Sequence, residues 1–437
     1  MSPINPSTYQ RFEAWLTRYR TPFFGLAYGL FVLWGLWETR NSVAIPAMDW
    51  MRIFSFRDYR TSADILLYLK ELRTGIPPFI SLVEILSWNW WETLDWWVKG
   101  FYRLALIGIV LLPIWFTKRT IWHLLAGLPI AVFLLKGLVI VHPGNPQIYD
   151  VLLPVLLLIG LLLLKKSFTD QMRNWRLWLM ALGAGFFLSM AELARPFMIL
   201  LLPLLMGLGI YHFIQAKRAR LILPFLIPIL LFSGGWHLKL LIYNDGQVIW
   251  SNHGGTNLFR AWMPLVDQEA MEAQLQPEAP PMKDYNWFWD NLNTEIHAQN
   301  SKVRSQAVMD GIKSQPLAAM GLLWDKTLHF IEPQTAMYDY DPQGFFVSAY
   351  RGIVRLIYYL LALLLMRTVV RAIKQPISLL EWDTWLILIT AFLSFMPIIG
   401  EAGEESRFLV SVLPFLMIVG FLGVEWIVQR LITTFSR

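Results

Sequence analysis

Residues 150–165 read DVLLPVLLLIGLLLLK, and this aliphatic run is the clearest of several long apolar stretches in the chain. A membrane-spanning helix needs about 20 mostly apolar residues, and ten stretches of the chain approach that pattern. They lie near 21–38, 100–117, 120–141, 150–165, 177–194, 197–214, 221–243, 351–369, 382–400 and 407–429. The sequence therefore predicts an all-α membrane protein with about ten transmembrane helices.

The composition agrees with a lipid environment. Hydrophobic residues make up 56% of the 437 positions and charged residues 16%, against about 25% charged in ordinary soluble domains. The absence of cysteine excludes disulfides, thiolate metal sites and cysteine nucleophiles. The net charge of +6 is not gathered with aromatics in one soluble stretch, so it favours cytoplasmic loop anchors over nucleic-acid binding.

The short loops predict the orientation, because Lys and Arg concentrate on the cytoplasmic side of a membrane. Basic residues fall at every second connection, whereas loops 142–147 and 401–406 contain neither Lys nor Arg. The basic positions are Arg11, Arg18, Arg20, Lys118, Arg119, Lys165, Lys166, Arg173, Arg176, Lys217, Arg218, Arg220, Arg367, Arg371, Lys374, Arg430 and Arg437. Both termini are therefore expected on the cytoplasmic side.

This topology divides the chain into three parts. Residues 1–243 form an N-terminal membrane domain of seven helices, with a first outer loop at about 38–99. Residues 244–350 form one large outer loop between helices seven and eight, and 351–437 hold helices eight to ten. Within the first loop, stretches 61–73 and 81–97 have the amphipathic pattern of interfacial helices.

Charged residues near the outer face are candidates for chemistry, because a charge at membrane depth is costly and usually pairs or lines a cavity. Asp49 and Asp58 follow the first helix, Arg195 lies in MAELARP, and Glu405 and Arg407 lie in EAGEESRF. A carboxylate opposite arginines suits transfer with a phosphate leaving group: the acid accepts a proton and the guanidinium holds the phosphate. Ordinary loop charges or salt bridges between helices are the alternative.

Four short stretches share a place on the predicted outer side. They are Asp58-Tyr59 through Leu72 to Gly75-Ile76-Pro77-Pro78, the LARP at 193–196, a large loop that opens with SNHGGTNLF at 251–259 and later carries AVMDGIKSQPLAAMGLLWDKTLHFI at 307–331, and Glu405-Ser406-Arg407-Phe408 followed by Pro414. In this order the chain resembles the polytopic C-type membrane glycosyltransferases. The resemblance is in particular to the bacterial relatives of protein mannosyltransferases and to the lipid A aminoarabinose transferase.

The resemblance implies transfer of a sugar from a polyprenyl-phosphate donor to a lipid, glycan or protein acceptor. The reaction would occur on the outer face of a bacterial inner (plasma) membrane and require no cofactor. Asp58 or Asp49 would act as the base, and Arg407 and Arg195 would hold the donor phosphate. The family usually has an Asp-Glu pair in its first loop, whereas this chain has Asp49-Trp50 and Asp58-Tyr59, so the choice between the two acids stays open.

Further substrate and metal candidates rest on shorter patterns. Glu405 and the loop histidine His253 are candidates for substrate binding. Asp339 and Asp341 form an Asp-x-Asp that could chelate a divalent cation, although a solvated loop end is the favoured interpretation. The seven histidines lack the spacing of a zinc site, so no metal is predicted.

Two other classes of membrane protein are compatible with the pattern. An O-antigen polymerase or ligase also has a large outer loop, but it relies on basic loop residues and needs no acid directly after the first helix. A transporter or flippase would place ionisable residues in the middle of helices. Lys136, Glu192 and Lys239 come nearest to such depth, and all three lie near the ends of predicted helices.

Overall fold

A computed structural model describes residues 25–41, 91–116, 121–141, 148–243, 246, 254–276, 295–331, 344–400 and 405–435. About 93% of this part of the chain is helical, and none of it lies in a β-strand. The all-α class is therefore confirmed for the described residues.

The helices are numbered here in chain order. They are α1 (25–38), α2 (Trp91–Phe116), α3 (Ile121–Val141), α4 (Ile148–Thr169), α5 (Asn174–Ala194), α6 (Leu202–Gln215), α7 (Ile222–Pro228), α8 (Gly235–Tyr243), α9 (Gly254–Trp262), α10 (Gln268–Glu272), α11 (Glu295–Ser314), α12 (Pro316–Ile331), α13 (Phe345–Lys374), α14 (Trp382–Gly400) and α15 (Glu405–Phe435). A π-helical segment, Ile229–Gly234, joins α7 to α8.

Seven helical stretches in the described part are long and apolar enough to cross a membrane. They are Asp150–Thr169, Asn174–Ala194, Phe197–Gln215, Ala219–Ile242, Phe345–Lys374, Trp382–Gly400 and Leu409–Val428. Two shorter apolar helices, Tyr102–Ile114 and Gly127–Ile140, accompany them. The chain therefore has the helices of a membrane protein, while the count of ten and the loop layout stay predictions.

The last helix is the centre of the bundle. Its apolar stretch Leu409–Val428 is 72% buried inside the protein, more than any of the other six. It packs against α2, α4, α13 and α14. A residue at either end of α15 therefore lies close to several other helix ends.

Two glycines allow close helix crossings. A Cβ on Gly185 of α5 would lie 2.0 Å from the carbonyl oxygen of Phe225 in α7, and one on Gly137 of α3 would lie 2.3 Å from the Cβ of Tyr350 in α13. Small residues permit such contact where apolar burial alone does not drive helices together. These crossings fix α5 against α7 and α3 against α13.

Helices α9 to α12 form a separate layer, called here the loop unit. It has its own small core of Ala261, Trp262, Leu265, Val308 and Ala319. The indole Nε1 of Trp262 donates to the carbonyl oxygen of Ile399, 2.7 Å away, at the end of α14. This bond anchors the loop unit to one end of the bundle, called here the loop end.

Basic residues gather at the opposite end, called here the basic end. Arg218 donates to the carbonyl oxygen of Ser167 at 2.7 Å, and Arg371 binds Glu381 through Nη1 and Nη2 of its guanidinium. The packing thus separates the two sets of loops that the charge pattern distinguishes.

One predicted boundary differs from the structure. The sequence suggested an interfacial helix at 81–97 and a separate span from residue 100, but α2 runs without a break from Trp91 to Phe116. Nothing between these stretches ends a helix, because Gly100 is the only weak helix former there and proline first occurs at Pro113. The stretch 61–73 and the start of 81–97 lie outside the described residues.

Candidate functional site

A buried ion pair stands at the loop end of the bundle. Asp150 lies in the first turn of α4 and its side chain has no exposed surface, while the side chain of Arg195 is 12% exposed. Arg195 Nη2 donates to Asp150 Oδ1. The pair joins the start of α4 to the end of α5.

Local sequence places Arg195 for this contact. The residue before a proline is driven out of the helical conformation, and Arg195, which precedes Pro196, adopts φ −146° and ψ 118°. It therefore ends α5, and the short 3₁₀ turn Pro196–Leu200 follows. The LARP stretch explains why an arginine leaves the helix at this depth.

Two further helices reach the same pair. The hydroxyl of Ser411 in α15 donates to the carbonyl oxygen of Asp150 at 2.9 Å. Tyr102 of α2 is 1% exposed and interacts electrostatically with Asp150. Helices α2, α5 and α15 thus each contribute a side chain that interacts with Asp150 of α4.

Burial makes this pair costly to break. Removing one member of a buried ion pair leaves an uncompensated charge and typically costs about 3–5 kcal/mol. Charges at such positions in membrane proteins usually line a cavity or a pathway. The pair is therefore a functional candidate as well as a structural contact.

The start of α15 brings two predicted residues towards this region. Glu405 and Arg407 lie in the first turn of α15. Arg407 precedes Ser411 by four residues, one helical turn of about 6 Å along the axis. A helix N-terminus carries partial positive charge, which favours an anion near the loop end.

A second buried acid lies on α5. Glu192 is 3% exposed, and its Oε2 accepts a hydrogen bond from the hydroxyl of Ser233 at 2.8 Å. Its Oε1 lies 2.8 Å from His237 Nε2. His237 Nδ1 is buried and has no hydrogen-bond partner among the described residues. This network, called here the Glu192 network, joins α5 to the span that contains the π-helical segment.

The π-helical segment explains how Ser233 reaches Glu192. Pro228 ends α7, and the next residues widen into π geometry before α8 begins. Such bulges shift the register of a helix face and often occur at functional sites. The sequence signal was the acid itself, Glu192; its partners lie 41 and 45 residues away and could not be read from the sequence.

A third ion pair joins α3 to α1. Lys136 Nζ lies 3.2 Å from Glu38 Oε1, at the ends of α3 and α1. The same ammonium lies 5.1 Å from the ring centroid of Phe346, at the start of α13. Lys136 is thus paired at the edge of the bundle, close to the loop end.

The structure describes only some of the predicted site residues. Asp49, Asp58, His253, Asp339 and Asp341 lie outside the described part, as do the side chains of Glu405 and Arg407. Of the predicted set, only Arg195 has described side-chain contacts, and they lead to Asp150, which the sequence analysis did not single out. The role of Arg195 in binding phosphate stays a prediction.

The described residues offer no obvious metal centre. Among them, no three His, Asp or Glu side chains are grouped closely enough to hold an ion. No family model matches the chain, and neither the curated proteins nor the solved structures give a match.

Proposed function

We propose that the chain is a membrane glycosyltransferase that moves a sugar from a polyprenyl-phosphate donor to an acceptor at the loop end. The observation that supports this best is the buried Asp150–Arg195 pair beside the first turns of α15. It concentrates fixed charge where a lipid-linked phosphate would lie, at the boundary between apolar helices and the loop unit.

In this proposal Arg195 and Arg407 bind the donor phosphate. A guanidinium carries five N–H donors in a planar fork, so Arg195 can hold a carboxylate and a phosphate together. Asp150 would then hold Arg195 in the orientation that binds the phosphate. Arg407, near the start of α15, would stabilise the charge that grows on the phosphate as it leaves.

The base comes from the first outer loop. The acceptor hydroxyl or amine attacks the anomeric carbon of the sugar, and its proton passes to Asp58 or Asp49. The bond from that carbon to the phosphate oxygen breaks, and polyprenyl phosphate leaves with its negative charge increased. Glu405 and His253 would contact the sugar or acceptor. No metal is needed to balance this step.

The proposed setting is the inner membrane of a bacterium. Both termini and the basic end would face the cytoplasm, in accord with the preference of Lys and Arg for that side. The loop unit and the paired charges would face the outside, where the transfer takes place.

Lipid analysis of a deletion strain tests the reaction. Mass spectrometry should find a single sugar on polyprenyl phosphate accumulating in the deletion strain and returning to normal when the wild-type gene is restored. An Arg407→Lys gene serves as the matched control, because it should insert but fail to reverse the accumulation. An unchanged lipid-linked sugar pool would reject the proposal, and a build-up of long lipid-linked glycans would indicate a polymerase or ligase instead.

Single substitutions identify the base. Asparagine keeps the size of aspartate but cannot accept the proton, so Asp58→Asn or Asp49→Asn should reduce turnover by at least ~100-fold, within the range typical of acid–base catalysis. The other substitution should matter far less. Single-turnover transfer by each purified variant would decide, and normal rates in both would remove the general base from this loop.

The Glu192 network favours one alternative, a transporter. A buried carboxylate bonded to a histidine within apolar helices resembles the arrangement through which pumps and transporters pass protons. Glu192→Gln separates the two functions. If this variant loses substrate transport in proteoliposomes, and neither it nor the wild type transfers sugar, the result supports the transporter. Normal sugar transfer by the variant supports the glycosyltransferase.

A further inference from the structure

The basic end contains a cavity between the last turns of α13 and the end region of α15. Its volume is about 490 Å³, within the roughly 300–1,000 Å³ typical of small-molecule sites. Four cationic residues line it: Arg367, Arg371, Lys374 and Arg430. Among the described residues that line it, none is acidic.

Three of these cations share one face of α13. Arg367, Arg371 and Lys374 are spaced four and three residues apart, which places them on the same side of the helix. Like charges at this spacing repel each other and destabilise a helix. Arg371 and Arg430 line the same cavity as Arg367 and repel its charge. The cluster therefore has an excess of positive charge that an anion would relieve.

Glu381 offsets only part of that charge. It binds Arg371 in a two-pronged arrangement, with nitrogen to oxygen distances of 2.6 and 2.5 Å. Both side chains are substantially exposed, 41% for Arg371 and 46% for Glu381. The pair fixes Arg371 at the rim, and Arg367 and Lys374 add further positive charge to the lining.

An aromatic side chain marks the membrane boundary at this cavity. The guanidinium carbon of Arg367 lies 5.4 Å from the ring centroid of Trp426, and that of Arg430 lies 6.0 Å from it. Tryptophan prefers the headgroup region of a bilayer. The ring also holds both arginines by cation–π attraction, so the cationic lining is positioned at headgroup depth.

Apolar side chains adjoin the same cavity. Met366 and Val370 line it and are 58% and 54% exposed. They stand on a helix that is long and apolar enough to span a membrane, so their exposed faces meet acyl chains. The cavity thus offers cations for a phosphate and an apolar wall for the chain attached to it.

We propose that this cavity binds the phosphate headgroup of an anionic phospholipid. Basic pockets between membrane helices on the cytoplasmic side bind such headgroups in general. The apolar wall and the position of Trp426 favour a lipid over a soluble phosphate compound. This site is separate from the loop end and does not depend on the function proposed there.

Lipid retention by the full-length protein tests the site. The protein is placed in nanodiscs of phosphatidylcholine with phosphatidylglycerol, and the phosphatidylglycerol that stays bound is measured by native mass spectrometry. Arg367→Gln and Lys374→Gln should each weaken retention about fivefold, the equivalent of ~1 kcal/mol per basic residue near an anionic surface. Lys374 is exposed and ends its helix, so its variant tests the site even if Arg367→Gln fails to fold.

A matched control removes the same charge elsewhere. Lys313 lies on the exposed surface of α11 in the loop unit. The Lys313→Gln protein should retain phosphatidylglycerol like the wild type. Equal retention by all four proteins would overturn the site. If inorganic phosphate displaces the lipid fully at millimolar level, the ligand is a soluble phosphate compound and the lipid assignment is wrong.

Discussion

Two arginine–carboxylate pairs stand at opposite ends of the bundle and differ in exposure. At the loop end, the carboxylate of Asp150 has no exposed surface and Arg195 is 12% exposed. At the basic end, Arg371 and Glu381 are 41% and 46% exposed. Water and salt therefore screen the exposed pair at the basic end but not the buried pair at the loop end.

The difference indicates what each end is built to do. A buried pair costs desolvation and gives fixed orientation in return, which suits groups that must be positioned for a reaction. An exposed pair contributes little to stability, and here it borders a cavity with an excess of cations. The positioned charges at the loop end therefore fit a catalytic role, and the unbalanced positive charge at the basic end fits binding of an anion.

The largest expected effect concerns the sidedness of the two ends. A reporter inserted within 268–300 of the loop unit should read outside the cytoplasm, and one after Lys166 should read inside, because Lys and Arg favour the cytoplasmic face. Reporters that depend on compartment, such as alkaline phosphatase and a fluorescent protein, make the readout all-or-none. The reverse pattern would place both proposed sites on the wrong faces.

Breaking the buried pair should destabilise the protein strongly. Arg195→Met leaves the Asp150 carboxylate buried without its main partner, so the free energy of unfolding should fall by about 3–5 kcal/mol. Denaturant unfolding in detergent measures it. The double variant Asp150→Asn with Arg195→Met is the control and should recover much of the loss. A loss under ~1 kcal/mol in the single variant would show that water reaches the pair.

Arg407 should be more sensitive in activity than in stability. Arg407→Lys keeps the charge but loses the planar fork that matches a phosphate, so sugar transfer should fall by roughly 100-fold, as when one donor to a developing anion is removed. Arg176→Lys at the basic end is the matched control, since Arg176 is exposed and lies outside both proposed sites, and it should transfer normally. Normal transfer by the Arg407 variant would exclude a phosphate clamp at this position.

The anchor of the loop unit should contribute a smaller amount. Trp262→Phe removes the bond to the carbonyl oxygen of Ile399 and should cost about 1 kcal/mol, the usual net worth of one hydrogen bond. Hydrogen exchange in α9 and α11 should rise in this variant. Trp324→Phe is the control, since Trp324 is 63% exposed on α12. Unchanged exchange in the Trp262 variant would show that packing alone holds the loop unit.

The sequence could predict the helices because apolar runs are local features. Apart from the turn at Leu201, every described part of the ten apolar stretches is helical, and its charge near the predicted outer face singled out Arg195 in MAELARP. The partners of the buried acids were beyond reach, since Asp150 and Arg195 are 45 residues apart, and Ser233 meets Glu192 only after a π-helical shift. Such pairings are set by how helices cross, which periodicity does not encode. The prediction of two separate helices at 81–97 and from 100 is wrong. Composition changes at 97–100, but no residue in that stretch ends a helix.

The exposed pair should give the smallest effect. Arg371→Gln and Glu381→Gln should each change the free energy of unfolding by less than ~1 kcal/mol, as surface ion pairs do. A double-mutant cycle isolates their coupling, which should shrink as salt rises, because screening acts on exposed charges. The same cycle on Asp150 and Arg195 should show larger coupling with little salt dependence. Coupling above ~2 kcal/mol at the exposed pair would mean that lipid or another group excludes water there. The contrast between the two ends would then rest on charge balance and not on burial.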